Sequence, residues 1–406
     1  MAWRNIWRNT RRSILTISAI VFATVLLIFM LSWQFGSYET MINTAVKVHT
    51  GHVQVQARGY REQMEIPLVV SDPAVVKAAL GRTEGVAAYS FRANAFSLIS
   101  SKDRTYGALV IGIDPEGEMK VSTLKQLVRT GEYLSPGDNG QVLVGRLLAK
   151  NLRVDVGDEL VLLGQGRDGS IAATVVLVKG IFSSGEDEFD RGSLHMPLAY
   201  FQEVYGMRGA VHEVVILGKA LDDTAGIKLS LEKSLHGQGD NGDLAVLDWK
   251  EMMPGLVEAI KMDLLSGLIM YVVLIVVVAF SILNTFLMAI FERTKEFGVL
   301  MAIGTRPGRL TRLLLLESTG LTTIGIIVGV VAGALLTWHF QVRGIIIPDA
   351  GEWLRQFGLP ERMYPQLSFL SISIGSGIVF IITVLTALYP AFRVRLLKPV
   401  EAMKAV

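Results

Sequence analysis

Residues 264–291 read LLSGLIMYVVLIVVVAFSILNTFLMAIF, a run of 28 positions without Asp, Glu, Lys or Arg. A bilayer core about 30 Å thick is crossed by roughly 20 apolar residues in α-helix, and a helix buried in a soluble core rarely stays free of charge for so long. The run therefore predicts a membrane-spanning helix. Three further blocks repeat the pattern at Ile14–Trp33, Leu313–Phe340 and Leu367–Phe392, and among them only Leu313–Phe340 holds a Glu (Glu317) and a His (His339). These blocks explain why 51% of the 406 residues are hydrophobic and only 19% charged, where a soluble domain carries about 25% charge. Such a composition excludes a disordered chain, and a net charge of +2 supplies no basic field for nucleic acid. Without cysteine there is no disulfide framework, thiolate metal site or cysteine nucleophile.

The first block follows Arg4, Arg8, Arg11 and Arg12. Its length exceeds the h-region of a signal peptide and no A-x-A-like site follows, so an uncleaved signal-anchor is expected. Trp3, Ile6, Trp7 and Thr10 recur at helical spacing before it, as in a short helix lying in the membrane interface. Segments 1–13, 292–312 and 393–406 together hold 13 basic and 3 acidic residues, a local charge of +10, whereas 341–366 is balanced. The positive-inside rule then places both termini and 292–312 in the cytoplasm. The expected organisation is an interfacial helix (1–13), spans at 14–33, 264–291, 313–340 and 367–392, an outer domain (34–263), a cytoplasmic loop (292–312), a short outer loop (341–366) and a cytoplasmic tail (393–406).

The outer segment reads as mixed α and β. It opens on His52-Val53-Gln54-Val55-Gln56, whose alternation turns the valines to one side and the polar residues to the other. Ser71-Asp72-Pro73 caps a helix that ends before Gly81, and a second helix is expected over Asp222–Ser234. Strands are expected at Ala95–Ser100, Ala108–Ile113, Gln141–Val144, Glu159–Leu163, Ile171–Val178 and Glu213–Leu217, separated by Gly/Asp turns. The fold class is thus an α-helical membrane protein with four transmembrane helices and a large α+β extracytoplasmic domain inserted between the first two.

No catalytic constellation stands out. His49 and His52, three apart, would point to opposite faces of a strand and lack a third ligand. Glu186-Asp187-Glu188-Phe189-Asp190 lacks the alternating oxygen ligands of a calcium loop and reads as a solvated acidic turn. Ser183 and Ser184 have no G-x-S-x-G setting, and no G-x-x-x-x-G-K-[ST] phosphate loop is present. Glu317, close in sequence to Arg309 and Arg312, reads as an interfacial carboxylate that either reaches headgroup water or pairs with Arg, and Gly320, Gly325, Gly329 and Gly333 as a stripe for close helix packing.

The loop Phe291-Glu292-Arg293-Thr294-Lys295-Glu296-Phe297-Gly298-Val299-Leu300-Met301-Ala302-Ile303-Gly304 predicts a short amphipathic helix. Phe297, Leu300, Met301 and Gly304 share a stripe, Gly304 closes the helix and Pro307 prevents its continuation. Such a helix either lies on the membrane or docks in a groove on a cytoplasmic partner. The string E-R-x-K-E-F-G-V-L-x-A-I-G, followed by a basic turn and Leu-Leu-Leu-Leu-Glu at 313–317, resembles the FtsX-like permease signature of the MacB/LolCDE (type VII) ABC transporters. The closing Tyr389-Pro390-Ala391 with Pro399 and Ala402 is similar to that family's C-terminal pattern. Thr50-Gly51-His52-Val53-Gln54-Val55 and Gly180-Ile181-Phe182-Ser183-Ser184-Gly185 with Asp190 resemble the LolC/LolE-like branch.

The resemblance implies a non-catalytic permease that binds no cofactor itself, ATP and Mg being held by two separate ABC ATPase subunits. A second permease protomer, identical or paralogous, is implied beside it. The family's coupling helix falls on Glu292–Thr305, so Phe297, Leu300 and Met301 would fill the ATPase groove and Glu292, Arg293 and Glu296 would orient it, with Gly298 and Gly304 shaping the helix. In LolC/LolE-like members the substrate is the lipid-modified end of a lipoprotein, passed on to a periplasmic acceptor. In that branch it is taken from the outer leaflet between the first two spans of the two protomers, to which this chain would contribute Phe22, Leu26, Phe29 and Met30 of the first span and Leu268, Tyr271 and Ile275 of the second. The implied location is the bacterial inner membrane, with the large domain in the periplasm. MacB-like efflux and FtsX-like control of a cell-wall hydrolase remain the rival functions.

Overall fold

The computed structural model describes residues 10–236, 244–346 and 362–394. Most of the expected interfacial helix, the centre of the last outer loop and the tail from 395 onward lie outside the described residues. The described residues fall into two units. One is a helical unit built from segments 10–40, 259–346 and 362–394, and the other comprises 41–236 and 244–258.

Among the described residues, the helical unit contains four helices long and apolar enough to cross a membrane. They are α1 (Thr10–Ala45), α8 (Pro254–Glu292), α10 (Pro307–Arg343) and α11 (Phe369–Val394), with the short α9 (Thr294–Ala302) between the second and third. At 1.5 Å per residue the 36 residues of α1 reach about 54 Å, well beyond a bilayer core. Helix continuity thus outruns the charge-free blocks of the sequence, because polar residues such as Gln34 are compatible with helix. Ile20, Ala23 and Leu27 of α1 meet Ile282 and Phe286 of α8, Leu321 of α10 and Val379 and Ala387 of α11 in one core.

The glycine stripe of α10 is a packing seam. A Cβ at Gly325 would stand 2.7 Å from Ile20 Cγ2, and one at Gly329 2.6 Å from Thr24 Cβ, so only glycine permits this approach of α10 to α1. Ile345–Ile346 (β11) and Arg362–Met363 (β12) pair antiparallel at the end of α10.

The second unit is built on a 10-stranded sheet. Its strands are β1 (Val53–Ala57), β2 (Val86–Ser100), β3 (Thr105–Ile113), β4 (Val128–Gly131), β5 (Gln141–Gly145), β6 (Glu159–Gln165), β7 (Ile171–Phe182), β8 (Ser193–Pro197), β9 (Glu213–Gly218) and β10 (Leu244–Asp248). Its longer helices are α2 (Pro73–Leu80), α3 (Pro115–Val121), α4 (Arg146–Leu152), α5 (Asp187–Gly192), α6 (Leu198–Val204) and α7 (Thr224–Leu235).

Of the three buried clusters among the described residues of this unit, the two largest organise it. In the first, β10-β1-β9-β2 form an open antiparallel sheet covered by α2 and α7, with Val53, Val55, Ile216, Val76, Ile227 and Leu231 buried. In the second, the pairings β2–β3, β3–β8, β8–β5, β5–β7, β7–β6 and β6–β2 close a ring, a small barrel filled by residues such as Val110, Val144, Leu160, Leu162, Val176 and Leu194. Long β2 serves both, its first half pairing with β9 and its end with β6.

The alternation at 52–56 marks a strand, but Gln54 and Gln56 are as buried as the valines, because β1 is covered on both sides and flanked by β9 and β10. His49 lies in a wide helical turn, Val46–Thr50, that continues from α1 rather than on a strand. Asp72 caps α2 through the Ala74 N–H at 3.0 Å. The acidic stretch is not uniformly solvated. Asp190 is fully buried and accepts hydrogen bonds from Ser183 Oγ, Ser184 N and Ser184 Oγ at 3.0, 2.7 and 2.7 Å, closing the turn that precedes α5.

Candidate functional site

The loop between α8 and α10 folds as a corner. Helix α8 ends at Glu292, Arg293 leaves the helical conformation, and α9 begins at Thr294. Its far end closes as the glycine predicts: Gly304 has φ +93°, its N–H donates to Met301 O at 3.1 Å, and Thr305 N–H donates to Leu300 O at 2.9 Å. Pro307 then occupies the first turn of α10, where its missing N–H costs nothing.

The orientation of α9 differs from the expected one. Phe297 is 1% exposed and packs with Ile290, Leu310, Leu314 and Val394, while Leu300 and Met301 lie against the same cluster half-buried. Gly298 is buried beside them. Phe297, Leu300 and Met301 of the predicted stripe thus pack against the chain's own cluster, whereas its fourth member, Gly304, is exposed. The outward face carries Val299 and Ile303, 52% and 75% exposed and four residues apart, together with exposed Glu292, Lys295, Glu296 and Gly304. The sequence signal for this pair was present but narrow: two apolar residues outside a stripe of four.

Arg293 ties the corner together. Its Nη1 lies 3.2 and 3.1 Å from the two oxygens of Glu317 in α10, its Nε lies 3.3 Å from Glu296, and its guanidinium sits 5.4 Å from the Phe297 ring centroid. Glu317 is thus paired with Arg, as its buried position requires, but with Arg293 across the corner rather than with its neighbours Arg309 and Arg312. Thr311 Oγ1 donates to Ala391 O at 3.2 Å and joins α10 to α11 at the same level.

The seven residues expected to line a substrate path are not gathered by this chain alone. Phe22 and Leu268 are exposed, and Leu26, Met30 and Ile275 are half-buried. The Phe29 ring meets Phe340 of α10 edge-on at 5.8 Å instead of facing α8. Tyr271 does reach α1, donating to Gln34 Oε1 at 2.8 Å.

A further polar centre, invisible in sequence, lies inside the sheet unit. Arg92 on β2 and Glu118 on α3 form a fully buried double contact, Nη2–Oε1 at 2.6 Å and Nε–Oε2 at 3.0 Å, and Ser90 Oγ donates to Glu118 Oε2 at 3.1 Å. Burial alone would raise the Glu118 carboxyl, but the Arg92 charge and hydrogen bonds outweigh it and bring it down to about 2. Arg92 Nη1 also donates to the His49 carbonyl oxygen, fixing the turn that follows α1. Nearby, burial lowers His195 to about 3. His212, lowered to about 4 chiefly by burial, is held neutral by geometry: its Nδ1 accepts from Asn94 N at 2.8 Å and its Nε2 faces Ile66 O at 3.0 Å. Among the described residues, no group of three His, Asp or Glu side chains is arranged to hold a metal ion.

Residues 13–233 match the family model described as a MacB-like periplasmic core domain, and residues 268–399 match that of the FtsX-like permease C-terminal region. The lipoprotein-releasing system transmembrane protein LolC of Xylella fastidiosa is 25% identical over 417 aligned positions, covering 97% of this chain and 93% of that protein. The macrolide export ATP-binding/permease protein MacB of Chlorobaculum tepidum is 31% identical over 124 positions, 30% of this chain and 16% of that protein. The crystal structure of the periplasmic region of MacB from Actinobacillus actinomycetemcomitans aligns with a TM-score of 0.38 at 14% identity, over 52% of this chain and 94% of that one. The core-domain match alone spans more than half of the sequence, and the chain belongs to the family of FtsX-like ABC transporter permeases that carry a MacB-like periplasmic core domain.

Proposed function

We propose that the chain is a permease subunit of the bacterial inner membrane that works with separate ATPase subunits to extract lipoproteins from the membrane's outer leaflet. The observation that carries the reading is the similarity to a lipoprotein-releasing LolC over 97% of the chain. The macrolide-export similarity covers 30%. In this reading α1, α8, α10 and α11 span the bilayer, both termini and the α9 corner are cytoplasmic, and the sheet unit is periplasmic. A second permease protomer, identical or paralogous, stands beside the chain. Two ATPases below bind ATP and Mg, and the chain itself holds no cofactor.

The corner suits force transfer. Val299 and Ile303 would enter the ATPase groove, with Glu292 and Glu296 setting orientation, while Phe297 and the Arg293–Glu317 pair pass the displacement of α9 into α10. A rigid corner with an outward apolar pair is what a coupling element needs, since a loose one would absorb the motion.

Reconstitution with the co-purifying ATPase in nanodiscs tests the function. Acylated lipoprotein should stimulate ATP hydrolysis and pass to a soluble acceptor. Release of small toxic compounds without lipoprotein dependence would establish efflux instead, and capture of a cell-wall hydrolase with nothing released would establish regulation. Val299→Asp combined with Ile303→Asp should cut ATPase co-purification at least tenfold with the permease still inserted. Phe297→Ala should instead lower thermal stability, by about 3–5 kcal/mol.

A further inference from the structure

The barrel of the sheet unit turns an apolar face outward. Along β6 and β7 the residues alternate: Leu160, Leu162, Ala172 and Val176 are buried, while Val161, Leu163, Ile171 and Val175 stand exposed. The exposed set is contiguous. Val161 lies opposite Val175 and Leu163 opposite Ala173 across the β6–β7 ladder, and Leu98 of β2 lies opposite Leu163 on the other side. Phe96, two residues before Leu98, is 70% exposed, and Ile171 is 79% exposed. A solvated strand face normally carries polar residues, and these six side chains are all apolar.

The Phe96 ring is already ordered on this face. Gly107 of β3 lies opposite Leu98, and a Cβ there would stand 2.6 Å from Phe96 Cζ, so the ring lies down on the glycine backbone. A ring held in place loses little freedom when a partner covers it. Together the six side chains expose roughly 600 Å² of apolar surface, at the top of the range for monomers and close to the ~800 Å² that each side of a standard interface buries. Charges of both signs gather where the strands end, with Lys102, Asp103 and Glu159 at one end and Arg167 and Asp168 at the other. An apolar centre inside a mixed polar rim is the anatomy of a protein interface, whereas a face resting on lipid headgroups calls for a basic border.

An uncharged apolar face packs on its own copy without repulsion, which is what a two-fold isologous contact requires. Two chains held in one membrane also meet at a high effective concentration, so a face of this size suffices. We propose that the outer face of the barrel, centred on Phe96, Leu163 and Val175, packs against the same face of a second copy of this chain. The two faces lie about 10 Å apart, as sheets packed face to face do. The pairing rests on the second protomer of the reading above and makes that protomer identical; it does not depend on what is transported.

The chain has no cysteine, so single thiols report the contact. Val175→Cys lies within the face, and Ala78→Cys is an exposed control on α2, over the other core. Two differently tagged copies of the full chain, carrying the same cysteine, are co-expressed with the ATPase and treated in membranes with a bis-maleimide about 10 Å long. Val175→Cys should link tag to tag at least fivefold faster than Ala78→Cys. Adding Ile171→Asp should cut that rate at least fivefold and leave the apparent Tm of the intact protein unchanged, since this side chain points out of its own barrel. Equal rates for the two cysteines, a rate indifferent to the Asp, or linkage of Val175→Cys to a different polypeptide would overturn the pairing. If the two tags do not co-purify while lipoprotein is still released, the pairing fails and the lipoprotein reading stands. If the unmodified permease releases no lipoprotein, that reading fails and the crosslinking rates still decide the pairing.

Discussion

Arg92 illustrates how much of this protein rests on single buried charges. One guanidinium satisfies the Glu118 carboxylate twice and the His49 carbonyl once, all inside the sheet unit. Removing one partner of such a pair leaves the other charged and dry, at a cost of about 3–5 kcal/mol, whereas replacing both by apolar residues of similar volume is often neutral. Arg92→Met alone should therefore unfold the sheet unit of the intact protein at much lower denaturant. Arg92→Met with Glu118→Leu should recover most of the loss, falling short by about 1 kcal/mol for the unmade bond to His49. Equal midpoints for the single and double variants would contradict the pairing. Nothing in the sequence marks Arg92 or Glu118, because 26 residues separate them and each looks like an ordinary charge until β2 and α3 pack.

Among the elements, α10 and α9 behave oppositely towards prediction. The four-residue spacing of glycines in α10 announced close packing, and Gly325 and Gly329 do admit Ile20 and Thr24 of α1. Gly329→Ile should force the helices apart and cost about 1–3 kcal/mol, seen as a lower apparent Tm in detergent. Gly377→Ala, on α11, has open space where its Cβ would go and should leave Tm unchanged or slightly raised. For α9 the periodicity gave a helix and its Gly304 terminus correctly, but not the direction of its stripe. An amphipathic pattern says that one face is buried, not against what, and here the apolar face of α9 is covered by Ile290, Leu310, Leu314 and Val394 of its own chain.

For the whole molecule, buried histidines set a pH response. His195 and His212 stay neutral in the folded state down to about 3 and about 4, whereas an unfolded histidine takes up a proton near 6.5. As pH falls from 7 towards 4 the unfolded state binds protons that the folded state refuses, so stability falls with pH. Glu118, held low, adds a loss in the same direction only below about 4.5. Glu213, raised by burial, acts in the opposite sense. The comparison of wild type with His195→Gln isolates one group. The apparent Tm of the sheet unit in the intact protein should drop less in the variant between pH 7 and 5, by the equivalent of up to about 2 kcal/mol. Identical drops would show that His195 is not held neutral.

The local sequence pattern by itself predicted four long apolar helices and a short helix between the second and third, and among the described residues helices stand there, because hydrophobic length and helical period are local properties that need no partner. Most strands of the sheet unit were legible for the same reason, though β4, β8 and β10 were not, being short or without clear alternation. Only the tertiary structure decided which side of α9 faces outward, that Glu317 answers Arg293, that β6 closes a barrel against β2, and that Gln34 and Tyr38 meet Asp263 more than 200 residues away. Each of these is a long-range pairing of side chains or strands, fixed by desolvation and geometry that exist only once distant segments have packed.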